Sequence, residues 1–209
     1  MPQRRAASEI KMNWPSTTQV LKAAGLYGDS ERWFAKADAN QPAEFECKNS
    51  AQRGRFVDGG CNLLLMGKTL GDGWKSHEAC CMPFLEGYRD FLLRHKVKMI
   101  QCAYEVENKA ERYKGHPDQL VMLRDGRGSE VRATLDIKTG GFPPLTPIQL
   151  ASYESAQRSM GMPRSIRVGL QLTRGDFKLH YFNDPRDFDE WTILVRAHWI
   201  KAKYVGVGL

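Results

Sequence analysis

The chain has 209 residues, 42% of them hydrophobic, so one domain with a substantial buried core is expected rather than a disordered or fibrous chain. No apolar run reaches membrane-spanning length, and the polar, basic start from Met1 to Asn13 lacks a signal peptide's apolar stretch, which points to a cytoplasmic protein without a membrane partner. Five cysteines without Cys-x-x-Cys spacing argue against a disulfide framework or a zinc ribbon, and 31 Lys and Arg against 24 Asp and Glu give a net charge of +7, which suits a polyanionic partner.

In chain order, helices are expected over 16–24, 29–38, 42–68 with a break near Gly59-Gly60, and 78–95. Ser16 and Gln19 have the spacing of a capping box at the first of these. Cys80-Cys81, beside an apolar stretch, reads as structural. Strands are expected over 97–107, 112–123 and 130–138, the last two joined by a turn at Arg124-Asp125-Gly126-Arg127-Gly128. Thr146-Pro147-Ile148-Gln149 reads as a helix start with Thr146 as N-cap, and the helix runs to about Met160. Two further strands, Ser165 to Thr173 and Phe177 to Phe182, turn at Arg174-Gly175-Asp176. A terminal helix then starts at Asp184-Pro185 and carries Trp191, Leu194, Val195 and Trp199 as a core-facing stripe. The expected domain is single, with a helical part over 1–95, a core over 96–182 and a closing helix over 183–209.

The chemistry concentrates between Glu105 and Tyr153. In the strand ending Leu135-Asp136-Ile137-Lys138, Asp136 and Lys138 share one face and Leu135 and Ile137 the other. If this strand pairs with its predecessor as a hairpin, Asp118 of Gly115-His116-Pro117-Asp118 lies beside Asp136. Two neighbouring carboxylates repel unless a cation joins them, and hard carboxylate oxygens suit Mg²⁺ or Mn²⁺. Such an ion can polarise a phosphodiester, while Lys138 orients water or stabilises charge on the phosphoryl oxygens. Gln149 and Tyr153, four apart, share a helix face and would aim at the substrate. The plainer alternative is that Gln149 only caps the helix and Tyr153 only packs. Arg53, Arg55, Lys68, Lys75, Lys109, Arg112 and Lys114 could line a path for phosphates, although each alone also reads as a solvated surface charge.

The order Gly-x-x-Asp, Asp-x-Lys, then Gln-x-x-x-Tyr resembles the PD-(D/E)XK nuclease superfamily, and within it the branch of the RecB nuclease domain and the CRISPR-associated exonucleases. The resemblance implies an α/β restriction-endonuclease-like core, α-β-β-β-α-β, with an N-terminal helical cover. It implies metal ligation by Asp118, Asp136 and the Ile137 carbonyl, a catalytic role for Asp118, Asp136 and Lys138, and DNA contacts from Gln149, Tyr153 and Arg53. Glu105, with Glu107 as the alternative, is the further carboxylate that branch often has. Ser16-Thr17-Thr18-Gln19-Val20-Leu21 resembles the branch's opening Ser-x-Thr-x-x-Leu helix. Arg53-Gly54-Arg55-Phe56-Val57-Asp58 resembles its Arg-Gly-x-x-Val-His motif, with Asp58 standing where a metal-binding His is expected. Some relatives hold an iron-sulfur cluster through one N-terminal and three C-terminal cysteines. This chain has no cysteine beyond Cys102, so no iron-sulfur cluster is expected. The implied activity is a Mg²⁺- or Mn²⁺-dependent DNA exonuclease of recombination, repair or replication, with single-stranded DNA or DNA ends as partner and a recombination or replication protein as a further one. A nucleic-acid-binding module that has lost the chemistry and a sequence-specific restriction-type endonuclease are the alternatives. His116-Pro117-Asp118 also occurs in J-domain cochaperones, but those need a helix where Leu120 to Lys138 patterns as strand.

Overall fold

The structure, a computed structural model, describes residues 14–26, 50–71 and 78–205. The helix expected over 29–38, the start of the one expected over 42–68, and Lys75 lie outside those residues. Chain order is α1 (Thr17–Ala23), α2 (Ser50–Leu65), α3 (Glu78–Arg94), β1 (Lys98–Cys102), β2 (Val106–Asn108), β3 (Tyr113–Gly115), β4 (Gln119–Arg124), β5 (Glu130–Lys138), α4 (Thr146–Ser159), β6 (Ile166–Thr173), β7 (Asp176–Tyr181) and α5 (Arg186–Val205). Five strands form one sheet in the order β1-β4-β5-β6-β7. β1, β4 and β5 run antiparallel, α4 carries the chain over to β6 parallel to β5, and β7 returns antiparallel. This is the mixed α-β-β-β-α-β sheet flanked by helices that the sequence leads one to expect.

Alternation along β5 decides which side of the sheet receives what. Ala133, Leu135 and Ile137 face a core shared with Val57 and Cys61 of α2 and Phe84, Leu85, Tyr88 and Phe91 of α3. Thr134, Asp136 and Lys138 face the other side, where α4 crosses. A second core lies beneath α1, α4 and α5. Tyr113 packs edge-on against Trp191 at 4.7 Å and donates its hydroxyl to the Ser152 carbonyl at 2.8 Å. Trp191 and Val195 are buried there, so the stripe read on the terminal helix is core.

Four local expectations need correction. The helix over Ser50–Leu65 continues through Gly59-Gly60 without a break, because its Val57 and Cys61 face is fixed by the core. The single strand expected over 97–107 is two strands. Ala103, at φ 47°, turns the chain out of the sheet while its N–H donates to the Asp118 carbonyl at 3.0 Å. The strand expected over 112–123 splits likewise at His116-Pro117-Asp118, and β2 and β3 form their own two-stranded sheet inserted between β1 and β4. Among the cysteines, Cys61, Cys81 and Cys102 are free but Cys80 is disulfide-bonded, so the odd count did not exclude one bond.

α3 docks on the β6–β7 turn at unusually short range. The Gly175 N–H donates to the Pro83 carbonyl at 2.8 Å, and a Cβ placed on Gly87 would lie 2.4 Å from the Asp176 carbonyl oxygen. Backbone cannot move aside as a side-chain tip can. Gly87→Ala should therefore cost about 1–3 kcal/mol, read as a lower urea midpoint with an unchanged slope, whereas Gly54→Ala, with open space around it, should cost nothing comparable.

Candidate active site

The β4–β5 register fixes the site. Gln119 pairs with Leu135, so the residue before it, Asp118, comes opposite Asp136 where the two strands end their pairing. Asp118 Oδ2 accepts the Ile137 N–H at 2.7 Å, which holds that carboxylate across the strand end. Asp136 is 2% exposed, and Lys138 Nζ donates to its Oδ1 at 2.8 Å and stands 2.7 Å from its Oδ2. Beyond its ion pair with Lys138, Asp136 Oδ2 accepts no hydrogen bond among the described residues, and the buried Asp58 Oδ1 of α2 accepts none there either. Asp58 lies close enough that burial raises its pKa while Lys138 lowers it and Asp136 raises it again. The Asp118 carboxyl is pushed up to about 8, first by burial and then by the charge of Asp136, with Lys138 offsetting part of this and Asp58 adding to it.

The other sequence candidates divide. Arg53 is buried on α2; its Nε donates to Thr139 Oγ1 at 3.3 Å, beside Lys138, and its guanidinium lies over the Phe84 ring. Gln149 Nε2 donates to Tyr153 Oη at 2.7 Å. Gln149 is not the cap it resembled. Leu145 is the N-cap residue and makes no side-chain cap bond, Thr146 is already helical, and its Oγ1 is buried without a partner. Glu105 is exposed and pairs with Lys114 and His116, each at 3.5 Å, rather than with Asp118 or Asp136. Glu107 pairs with Lys109 at 3.3 Å.

Sequence reasoning missed three contributors. Gly115 touches the Tyr153 ring so closely that a Cβ would lie 2.6 Å from Cδ1, and Thr17 Oγ1 lies 3.0 Å from Ser152 Oγ on the same helix. Gln119, fully buried beside Asp118, accepts from the Tyr88 hydroxyl at 2.8 Å and donates to Asn62 Oδ1 at 3.0 Å. Asn62 was not singled out from the sequence, although its place four residues after Asp58 on one helix face is the signal that could have found it.

The donor set suits a hard divalent cation: buried carboxylate oxygens, of which Asp58 Oδ1 has no partner among the described residues and Asp136 Oδ2 has only the Lys138 ammonium. Among the described residues, no three or more His, Cys, Asp and Glu side chains are gathered tightly enough to enclose an ion unaided. Mg²⁺ does not require that, because it is usually held by one or two carboxylates with waters and phosphate oxygens.

No protein-family model matches the chain, and no curated protein matches it in sequence. Among solved structures it is similar to a protein described as a candidate exonuclease from Eubacterium rectale, at 14% identity and TM-score 0.51, over 99% of this chain and 89% of that one. It is also similar to an alkaline exonuclease from Laribacter hongkongensis, at 12% identity and TM-score 0.40, over 85% of this chain and the whole of the other. The first likeness shows a shared fold, the mixed sheet flanked by helices. No helix among the described residues is long and apolar enough to cross a membrane.

The raised Asp118 pKa gives a stability prediction of definite sign. A carboxyl whose folded pKa lies above its unfolded value adds stability that is complete below about pH 4 and is lost as pH rises through about 8. The chelator-treated protein should therefore lose stability over that window. Asp118→Asn should raise its Tm at pH 8, by about 2–4 °C for each kcal/mol of relieved repulsion. Calorimetry at pH 5 and pH 8 checks this, and an Asp118→Asn protein less stable than the parent at pH 8 would contradict it.

Proposed function

We propose that the chain is a Mg²⁺- or Mn²⁺-dependent nuclease of the PD-(D/E)XK superfamily, on its RecB-like branch, that hydrolyses DNA from a free end. The observation that carries the reading is the strand register setting Asp118 opposite Asp136, with Lys138 bonded to Asp136 and the buried Asp58 Oδ1 without a partner among the described residues. The shared fold with the candidate exonuclease supports it.

Asp118 and Asp136, joined by Asp58 and the Ile137 carbonyl, would hold the ion. When bound, it would neutralise the carboxylates and polarise a phosphodiester. Lys138 is partly exposed, its side chain 26% accessible, so its ammonium can leave Asp136 to orient water or to stabilise charge on the phosphoryl oxygens. In that hydrolysis a water oxygen bonds to phosphorus, the ester P–O bond breaks and the leaving oxygen takes a proton. Gln149 and Tyr153, bonded to each other on α4, would contact the strand as one unit, and Arg53 would fix the loop after Lys138 through Thr139. α1 and α4, tied through Thr17 and Ser152 on the Asp136 face, would wall the site, and such a channel would admit a flexible single strand more readily than a stiff duplex.

End-labelled linear and covalently closed circular DNA, single and double stranded, with and without chelator, provide the test. Linear single strands should shorten progressively from one end, circles should resist, and chelator should stop the reaction until Mn²⁺ is restored. Asp136→Asn should abolish cleavage. Lys138→Ala should lower turnover about 10²- to 10⁴-fold with calorimetric metal binding retained, and Asp58→Ala should raise the metal concentration needed. Cleavage unchanged in excess chelator would overturn the mechanism, and cutting of circles at a defined sequence would favour a restriction-type endonuclease.

A further inference from the structure

A second charged site lies at the opposite end of the same sheet face. Arg132 stands four residues before Asp136 on β5, about 13 Å along the strand. Between them Thr134 is fully buried, its hydroxyl bonded to Gln157 at 3.1 Å and to Ser165 at 2.7 Å, which seals one end from the other. Arg132 opens instead on a cavity of about 430 Å³ under α4 and the start of α5. Its Nε is buried and donates to nothing. Arg132 as a whole is only part-buried and forms no ion pair among the described residues, so an anion in the cavity could meet the rest of its guanidinium. Arg164, exposed on the cavity rim, likewise makes no hydrogen bond or ion pair among the described residues. The one carboxylate in the wall, Glu154, pairs with Arg167 at 3.8 Å and also feels the charges of Arg158 and Arg164, so cations outnumber it there, while Arg167 is further held by Asp187 at 2.6 Å.

We propose that this cavity binds the phosphate of a nucleotide through Arg132 and Arg164. Guanidinium forks match phosphate oxygens two at a time. An inorganic phosphate would leave most of the volume unfilled, and the rest of the wall suits a base. The Phe182 and Phe188 rings line the cavity, the Arg167 guanidinium covering one Phe188 face at 4.7 Å, and the Asn183 amide stands beside them with no hydrogen bond among the described residues. The site does not depend on the nuclease reading, because none of the residues proposed to hold metal lines it.

The test uses the full chain carrying Asp136→Asn, in chelator, so that no substrate is consumed. Deoxyadenosine monophosphate, deoxyadenosine, and a ten-nucleotide deoxyadenosine strand without terminal phosphates are titrated in turn, with amide shifts read at Ser165 and Asn183. The monophosphate should move both amides, deoxyadenosine should bind at least about tenfold more weakly, and Arg132→Gln or Arg164→Gln should each weaken the monophosphate about tenfold or more. Arg164 is exposed, so its variant tests the site even if the Arg132 variant folds poorly. Tighter binding of the monophosphate assigns a free nucleotide, and tighter binding of the strand with the same two shifts and the same arginine dependence assigns an internal phosphate. No movement at Ser165 and Asn183 with any of these, or affinities unchanged in the arginine variants, would overturn the proposal.

Discussion

The pairing of β4 with β5 is the constraint on which the candidate site depends. Antiparallel pairing sets residues opposite one another at fixed register, and a slip of one residue would send every side chain of a strand to the other face. Here that slip would carry Leu135 and Ile137 out of a core they share with α2 and α3 and put Asp136 in their place. Hydrophobic burial on one face thereby enforces charge crowding on the other. The Ile137 N–H, which the end of the ladder leaves available, takes the Asp118 carboxylate as its acceptor, so the crowding is held by the backbone itself.

The second half of the site is coupled to the first through a close contact. Tyr153 packs on the bare backbone of Gly115, three residues before Asp118, and Gln149 bonds its hydroxyl. A side chain at Gly115 would push α4 away, and with it both residues proposed to meet the strand. Ser152, next to Tyr153, is tied to Thr17 of α1 at 3.0 Å, so the first helix also bears on where α4 sits. The glycine of Gly-His-Pro-Asp thus acts on the site through packing, at a distance from any chemistry.

Much of this was legible because it follows from strict periodicities. β5 was read over the residues it occupies, as was the approach of Asp118 to Asp136, since alternation and a short Gly-containing turn leave little freedom. The Ser16 box forms as expected, with both reciprocal bonds present. What could not be read depends on partners distant in sequence. Ala103 adopts a left-handed conformation because Asp118 offers its carbonyl there, and nothing near residue 103 announces this. Thr146-Pro147-Ile148-Gln149 has a capping-box spacing, but Gln149 has a stronger claim from Tyr153 one turn on, and the helix starts a residue early without a side-chain cap. Glu105 and Glu107 looked alike along an extended segment; the β2–β3 insertion instead gives each a basic partner of its own.

The charges around Asp118 also bear on which ion would complete the site. Asp58, Asp118 and Asp136 act on one another, and Lys138 is the cation whose charge reaches Asp58 and Asp118 while it is bonded to Asp136. Three carboxylates against one ammonium leave two negative charges uncompensated when all are ionised. Burial first, and then this excess charge, push the Asp118 carboxyl up to about 8, so that without a cation it keeps a proton. A monovalent ion would cancel half of the excess and leave a carboxylate still inclined to protonate; a divalent ion cancels it whole. The Arg132 guanidinium, about 13 Å off along β5 and behind the Thr134–Gln157–Ser165 bonds, does not figure among the charges acting on Asp118. A guanidinium nearer to Asp118 would have cancelled one of the two excess charges, as a monovalent ion does, and lowered the carboxyl's tendency to keep a proton.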